Sequence, residues 1–225
     1  MATDFPASPS NGDTHAGFTY NSTTGTWETS VSTSSIDLLA DVDTATAAPS
    51  TGNFLKWNGT NWVPTPSVGI TYVDTWRLSS NVTSDASPIT TWSHTATSAD
   101  FQANLGSAMT VSSGYWTFPT TGYWKVEFIA RIDLNGNDNL NIGIIGYLYS
   151  GGSLSSSTTL AGQTIGDNVG MIHSGYVFTH VNVTNTSNIK VGLYSSSIAS
   201  GNYLQASSSS TDYTYATFTR LADAV

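Results

Sequence analysis

The most regular feature of the chain is an alternation of apolar and polar side chains with a period of two. It is clearest in Tyr123-Trp-Lys125-Val126-Glu127-Phe128-Ile129-Ala-Arg131-Ile132, where Val126, Phe128, Ala130 and Ile132 share one face of an extended strand. Thr179-His-Val181-Asn-Val183-Thr and Ile189-Lys-Val191-Gly-Leu193 repeat the arrangement. From about Ile70 onward the pattern predicts strands over 71–78, 88–94, 107–111, 114–118, 122–133, 139–149, 171–184, 188–195 and 212–221, with Gly, Asn and Ser supplying the turns. Closely spaced strands of this kind build a sandwich or a barrel. Two polar low-complexity runs, Ser150–Thr159 and Ala206–Thr211, are expected to be loops at strand ends, either solvent-exposed spacer or a surface for a receptor or glycan.

Residues 1 to about 66 follow a different rule. They hold two similar units, Phe18-Thr-Tyr20-Asn21-Ser-Thr-Thr-Gly25-Thr-Trp27 and Phe54-Leu-Lys-Trp57-Asn58-Gly59-Thr60-Asn61-Trp62-Val63-Pro64. In each, Asn- and Gly-rich residues reverse the chain and the bracketing aromatics pair across a short hairpin. An isolated hairpin is marginal in water, so each unit needs something to lean on. Between them, Ser34-Ser-Ile36-Asp37-Leu38-Leu39-Ala40-Asp41-Val42-Asp43 predicts one helical turn, with a Ser cap and early acids. Thr44–Gly52 and Pro64–Gly69 read as linkers. The expected fold class is therefore all-β: an extended segment with short hairpins over 1–66, then a sandwich of about ten strands over 67–225.

Composition sharpens this picture. Only 9% of the 225 residues are charged, yet there are seven Trp and eleven Tyr, more ring surface than a disordered chain carries. A net charge of −9 with six Lys plus Arg leaves no cationic cluster for nucleic acid or for an anionic membrane. No stretch approaches 18 apolar residues, so no insertion into a bilayer is expected. The opening MATDFPASPSNGDTH shows neither the basic nor the apolar region of a secretory signal. Without Cys there are no disulfides and no thiolate metal sites, and stability must come from core packing or from association of copies.

Catalytic chemistry is hard to find. His15, His94, His173 and His180 occur singly, without metal-ligand spacing. Glu127 and Asp133 share a strand face but stand about 20 Å apart at ~3.3 Å per residue, too far for a glycosidase pair. Asp133-Leu-Asn135-Gly136-Asn137-Asp138-Asn139 alternates oxygens like the first half of a calcium loop. It has Asp138 where that loop has Gly and Ile144 where it has Glu, and a hairpin turn on Asn135-Gly136 accounts for the same residues. No enzyme, metal or cofactor is expected.

Two resemblances add to this reading. Phe118-Pro-Thr-Thr-Gly122-Tyr123-Trp-Lys-Val126-Glu-Phe128 resembles the aromatic-x-x-x-Gly-Tyr-Tyr core strand of the tumour necrosis factor and complement globular-head jelly rolls, and Tyr213-Thr-Tyr215-Ala-Thr-Phe218-Thr-Arg220-Leu221 is similar to their closing strand. The usual Gly-Asp before the penultimate long strand is Asn185-Thr-Ser-Asn188 here. This likeness, over about 72–221, implies a ten-stranded jelly roll, a closing strand in the middle of the inner sheet, and a homotrimer. Tyr123, Trp124, Tyr147, Tyr149, Tyr213, Tyr215 and Phe218 are the candidates for its interface, some of which must instead fill the domain's own core. The second resemblance lies in Ile36–Asp43 and Phe54–Pro64, which look like a "DVD…LKWNG-NWVP" signature of fibre and other virion proteins of phages, especially cyanophages. Phe5–Asp13 through Trp27-Glu28 resembles another virion module. It implies a structural virion protein, a short fibre, spike or capsid decoration, that docks on other virion proteins through Phe18, Tyr20, Trp27, Phe54, Trp57 and Trp62. The alternative is a carbohydrate- or receptor-binding adhesion module that recognises a host-surface glycan.

Overall fold

The structure is a computed structural model that describes residues 4–29, 36, 39–46, 48–65, 69–94, 104–135, 139–166, 170–208 and 211–225. Ser34, Ser35, Asp37 and Leu38 of the expected helical turn, residues 66–68 of the second linker, residues 136–138 of the oxygen-rich run and residues 209–210 lie outside this set. The chain divides into two compact units, Met1–Ser67 and Val68–Val225.

The first unit holds two small sheets. β1 (Thr14–His15), β2 (Phe18–Asn21) and β3 (Thr26–Thr29) form a three-stranded antiparallel sheet, so the first hairpin carries an extra strand. β4 (Phe54–Trp57) and β5 (Trp62–Thr65) form the second hairpin, and Val42 adds to it by a parallel bridge to Trp62. These additions supply the support that an isolated hairpin lacks. Before the bridge the chain makes tight turns, with Leu39 N–H donating to the Ile36 carbonyl and Val42 N–H to the Leu39 carbonyl.

The second unit is a two-sheet jelly-roll sandwich. Its strands are β6 (Tyr72–Leu78), β7 (Trp92–His94), β8 (Thr110–Ser112), β9 (Tyr115–Thr117), β10 (Gly122–Leu134), β11 (Leu140–Ser150), β12 (Ser153–Ile165), β13 (Met171–Val183), β14 (Ile189–Ser196), β15 (Tyr203–Leu204) and β16 (Tyr215–Ala222). One sheet runs β13-β10-β16-β6-β7, with β15 paired to the end of β10; the other runs β12-β11-β14-β9-β8. The closing strand β16 lies between β10 and β6, in the middle of its sheet.

Alternation decides which side chains face inward. Trp124, Val126, Phe128, Ala130, Ile132 and Leu134 of β10 are fully buried and meet Leu140, Ile142 and Ile144 of β11 and Val191 and Leu193 of β14. Trp116 sits at the centre of an aromatic group, its ring centroid 4.8 Å from Phe218, 5.0 Å from Trp76 and 5.8 Å from Trp92. Asp74 is the buried charge of this layer. Its Oδ2 accepts from Trp76 Nε1 at 2.8 Å and from Met109 N–H at 2.7 Å, fastening the approach to β8 in one sheet to β6 in the other.

Two expectations need correction. Ser153–Thr159, expected to be a loop, begins the 13-residue strand β12. All of Ser153–Leu160 is exposed, so neither face of that stretch carries an apolar stripe for a period to reveal. The strand over 88–94 shrinks to Trp92–His94, because Ile89 instead donates its N–H to Leu193 of the opposite sheet and buries its side chain.

Candidate functional site

The outward face of the six-stranded sheet is the surface with the least explanation inside the chain. On β10 the odd-numbered residues Tyr123, Lys125, Glu127, Ile129 and Arg131 point away from the core. Register sets Ile129 between Tyr176 and Tyr215, Glu127 between Phe178 and Thr217, and Lys125 between His180 and Thr219. The edge strand β13 leaves Ile172, Tyr176 and Phe178 respectively 55, 47 and 48% exposed. A run of rings crosses the face: Tyr176 stacks on Phe178 at 5.7 Å, Phe178 meets His180 edge-on at 5.9 Å, and His180 stacks on Tyr123 at 5.6 Å.

Polar groups are set into this band. The Tyr176 hydroxyl donates to Glu127 Oε1 at 2.6 Å, and Lys125 Nζ pairs with the same oxygen at 2.7 Å while lying over the Phe178 ring. The hydrogen bond to Glu127 raises the pKa of Tyr176 and is also the main cause of the raised pKa of Lys125. Beside the face, an apolar crevice of about 260 Å³ opens between the sheets, lined by Leu148, Leu160, Val181 and Ile189 among others. Farther along the same edge Gln163 Oε1 accepts the Tyr176 N–H at 2.8 Å and links the two sheets.

The predicted interface residues divide. Tyr123 and Tyr215 stand on this face, and Tyr213 lies under Arg131, 4.5 Å from ring to guanidinium carbon. Trp124 and Phe218 are fully buried on the opposite side and fill the sandwich, so they present no surface to another copy. Tyr147, nearly buried, and Tyr149 belong to β11 in the other sheet. Sequence reasoning missed Ile129, Tyr176 and Phe178. The signal was present, because Tyr176-Val177-Phe178 is apolar at both parities, the mark of a strand whose two faces both meet something apolar.

In the first unit the aromatic residues also divide. Phe18 and Trp27 close on Phe5, with ring distances of 5.4 and 5.1 Å, and Tyr20 packs on Trp27 at 5.4 Å. These three therefore form the small sheet's own half-buried core, with His15 against Phe5 and Trp27. Trp57 and Trp62 face each other across β4 and β5 at 5.6 Å and stay 45 and 41% exposed. Their turn is held by Asn58, whose Oδ1 accepts from the N–H of Thr60 and of Asn61. Leu55 and Pro64 lie on the same face as the indoles and line a small recess of about 150 Å³ with Ile36, Pro49 and Phe54. Asp43 is held below the usual carboxylate range, chiefly by the Thr46 N–H.

Among the described residues no group of three or more His, Asp or Glu could hold a metal ion, and no helix is long and apolar enough to cross a membrane. The histidines stay apart: His94 lies 3.5 Å from Asp74 Oδ1, His173 is half-buried with Nε2 lacking a hydrogen bond, and His180 stacks on Tyr123.

No family model matches the chain, and no curated protein matches it. Solved structures do. A tumour necrosis factor Eiger from S. frugiperda is 12% identical with a TM-score of 0.47, the match covering 70% of this chain and 96% of that one. Murine APRIL at pH 5.0 is 9% identical with a TM-score of 0.47, covering 67% of this chain and 98% of that one, and the same protein at pH 8.0 is 11% identical at the same score and coverage. Likeness at this level concerns the course of the strands alone.

Proposed function

We propose that the chain is a non-catalytic structural subunit of a bacteriophage particle, a short fibre, spike or capsid decoration. The second unit associates as a homotrimer through the outward face of its six-stranded sheet, and residues 1–66 dock on other virion proteins. The observation that carries the assembly is the band of Tyr123, Ile129, Tyr176, Phe178 and Tyr215, an apolar face of a kind that a solitary soluble domain rarely leaves open. The number three and the virion setting rest on the sequence resemblances of 118–128, 213–221, 36–43 and 54–64. The exposed Trp57–Trp62 pair supports docking, since large rigid rings give contact area at low entropic cost.

Light scattering on the full chain is expected to give the mass of three chains. Phe178→Glu places a charge in the middle of the band and is expected to yield folded single chains. A wild-type protein that is monomeric at micromolar concentration would remove the assembly from this reading. Joint Trp57→Ala and Trp62→Ala replacement should leave the native mass unchanged and abolish retention on purified particles; retention equal to wild type would refute docking through the indole pair.

A further inference from the structure

The outward face of the other sheet has a different chemistry. Ile142 and Ile144 of β11 are fully buried, which turns Asn141, Gly143 and Ile145 outward. Gly143 stands opposite Gly162 on β12 and opposite Tyr194 on β14. Two glycines side by side in a sheet interior weaken pairing and mark a place where something approaches the backbone closely. Here that is the Tyr194 ring: a Cβ on Gly143 would lie 2.3 Å from its Cε1, and one on Gly162 2.9 Å from its hydroxyl. The half-buried Tyr194 ring thus reaches across the two glycines, close against their backbone.

A polar row runs alongside. Asn141 is flanked by Ser196 and Thr164. Thr164 donates its hydroxyl to Asn141 Oδ1 at 2.6 Å, and Asn141 Nδ2 donates to the Ser197 hydroxyl at 3.2 Å. The amide is fixed in this way, while the serine hydroxyl keeps a donor and the threonine hydroxyl keeps lone pairs. None of the residues in this row, in the Tyr194 row or in the Ile145 row beyond it is charged.

We infer that this face, centred on Tyr194, is a binding site for a neutral oligosaccharide. A pyranose presents a flat C–H face and a rim of hydroxyls, which match a flat ring beside a fixed row of hydroxyls and an amide. Other occupants fit less well. The uncharged rows offer nothing to an anion, and β11 is hydrogen-bonded on both sides, so an extended peptide cannot add to it. The inference goes beyond the structural role proposed above and does not depend on it, since it concerns the opposite sheet from the proposed copy-to-copy face.

Saturation-transfer NMR on the full chain, with linear gluco-, manno-, galacto- and N-acetylglucosamine oligosaccharides as probes, tests it. At least one series is expected to receive saturation on one sugar face. Tyr194→Phe should hold affinity within about threefold, and Tyr194→Ser should lose about tenfold or more. Because Tyr194→Ser also uncovers the glycines, Asn141→Ala serves as a second variant that leaves the ring in place and should weaken binding with an unchanged melting temperature. Three results overturn the site: no transfer to any probe, affinity untouched by either loss variant, or a fall in native mass of Tyr194→Ser, which would make this face a contact between copies. A monomeric wild type that still binds sugar would refute the trimer and leave the site standing.

Discussion

Asp74 concentrates much of what a single residue does for this fold. One carboxylate oxygen takes two donors, Trp76 Nε1 and Met109 N–H, and the other has no hydrogen bond and lies 3.5 Å from His94 Nε2. Asp74→Ala leaves both donors stranded in the interior, at about 1–3 kcal/mol each, and the urea midpoint should fall accordingly with an unchanged slope. Asp74→Asn keeps one oxygen for both donors and sets an amide toward the imidazole, so its loss should stay within about 1 kcal/mol. A loss for Asn as large as that for Ala would show that the charge, rather than the acceptor, is what the site needs. Gly114 works through its backbone: φ is +80°, and a Cβ would lie 2.5 Å from the Ile89 carbonyl oxygen. Gly114→Ala should therefore destabilise by more than the ~1 kcal/mol that the left-handed conformation alone costs, as read from the same urea titration.

Strands differ in how openly the sequence announces them. β10 was legible to within a residue because its even positions all enter one core and its odd positions all leave it. β12 was hidden because pairing with β11 holds it, through backbone bonds that no side chain advertises. The face of the six-stranded sheet was half legible: Tyr123 and Tyr215 were named, but Trp124 and Phe218 were named with them, since aromatic identity does not say which parity faces inward. Resolving which rings of β13 join that face needs its register against β10, which the period of neither strand supplies. The same edge offers a test. Gln163→Ala removes the acceptor of the Tyr176 N–H, at about 0.5–1.5 kcal/mol, and should speed exchange of that amide while amides of β10 keep their protection. Unchanged exchange at Tyr176 would mean that the two sheet edges are held together by other contacts.

At the scale of the whole molecule, charge is scarce and several protonated groups are favoured by folding. The pKa values of Tyr176 and Tyr203 are raised, first by hydrogen bonds to Glu127 and Asp133; that of Lys125 is raised first by Glu127 and that of Tyr147 first by burial. Each contribution is complete below the ordinary values, near about pH 10, and is lost as pH rises through the higher folded values. Stability should therefore decline from about pH 9 to about pH 11, and Tyr203→Phe should flatten the decline; a flat profile in the wild type would contradict these shifts. The first eight residues of β12 are all exposed and, apart from the crevice that Leu160 helps to line, lie outside the core, so the core places little demand on their identity. Substitutions along this strip should therefore leave the rest of the fold intact, and the Gly151-Gly152 turn that leads into it is a place where a foreign peptide could be inserted.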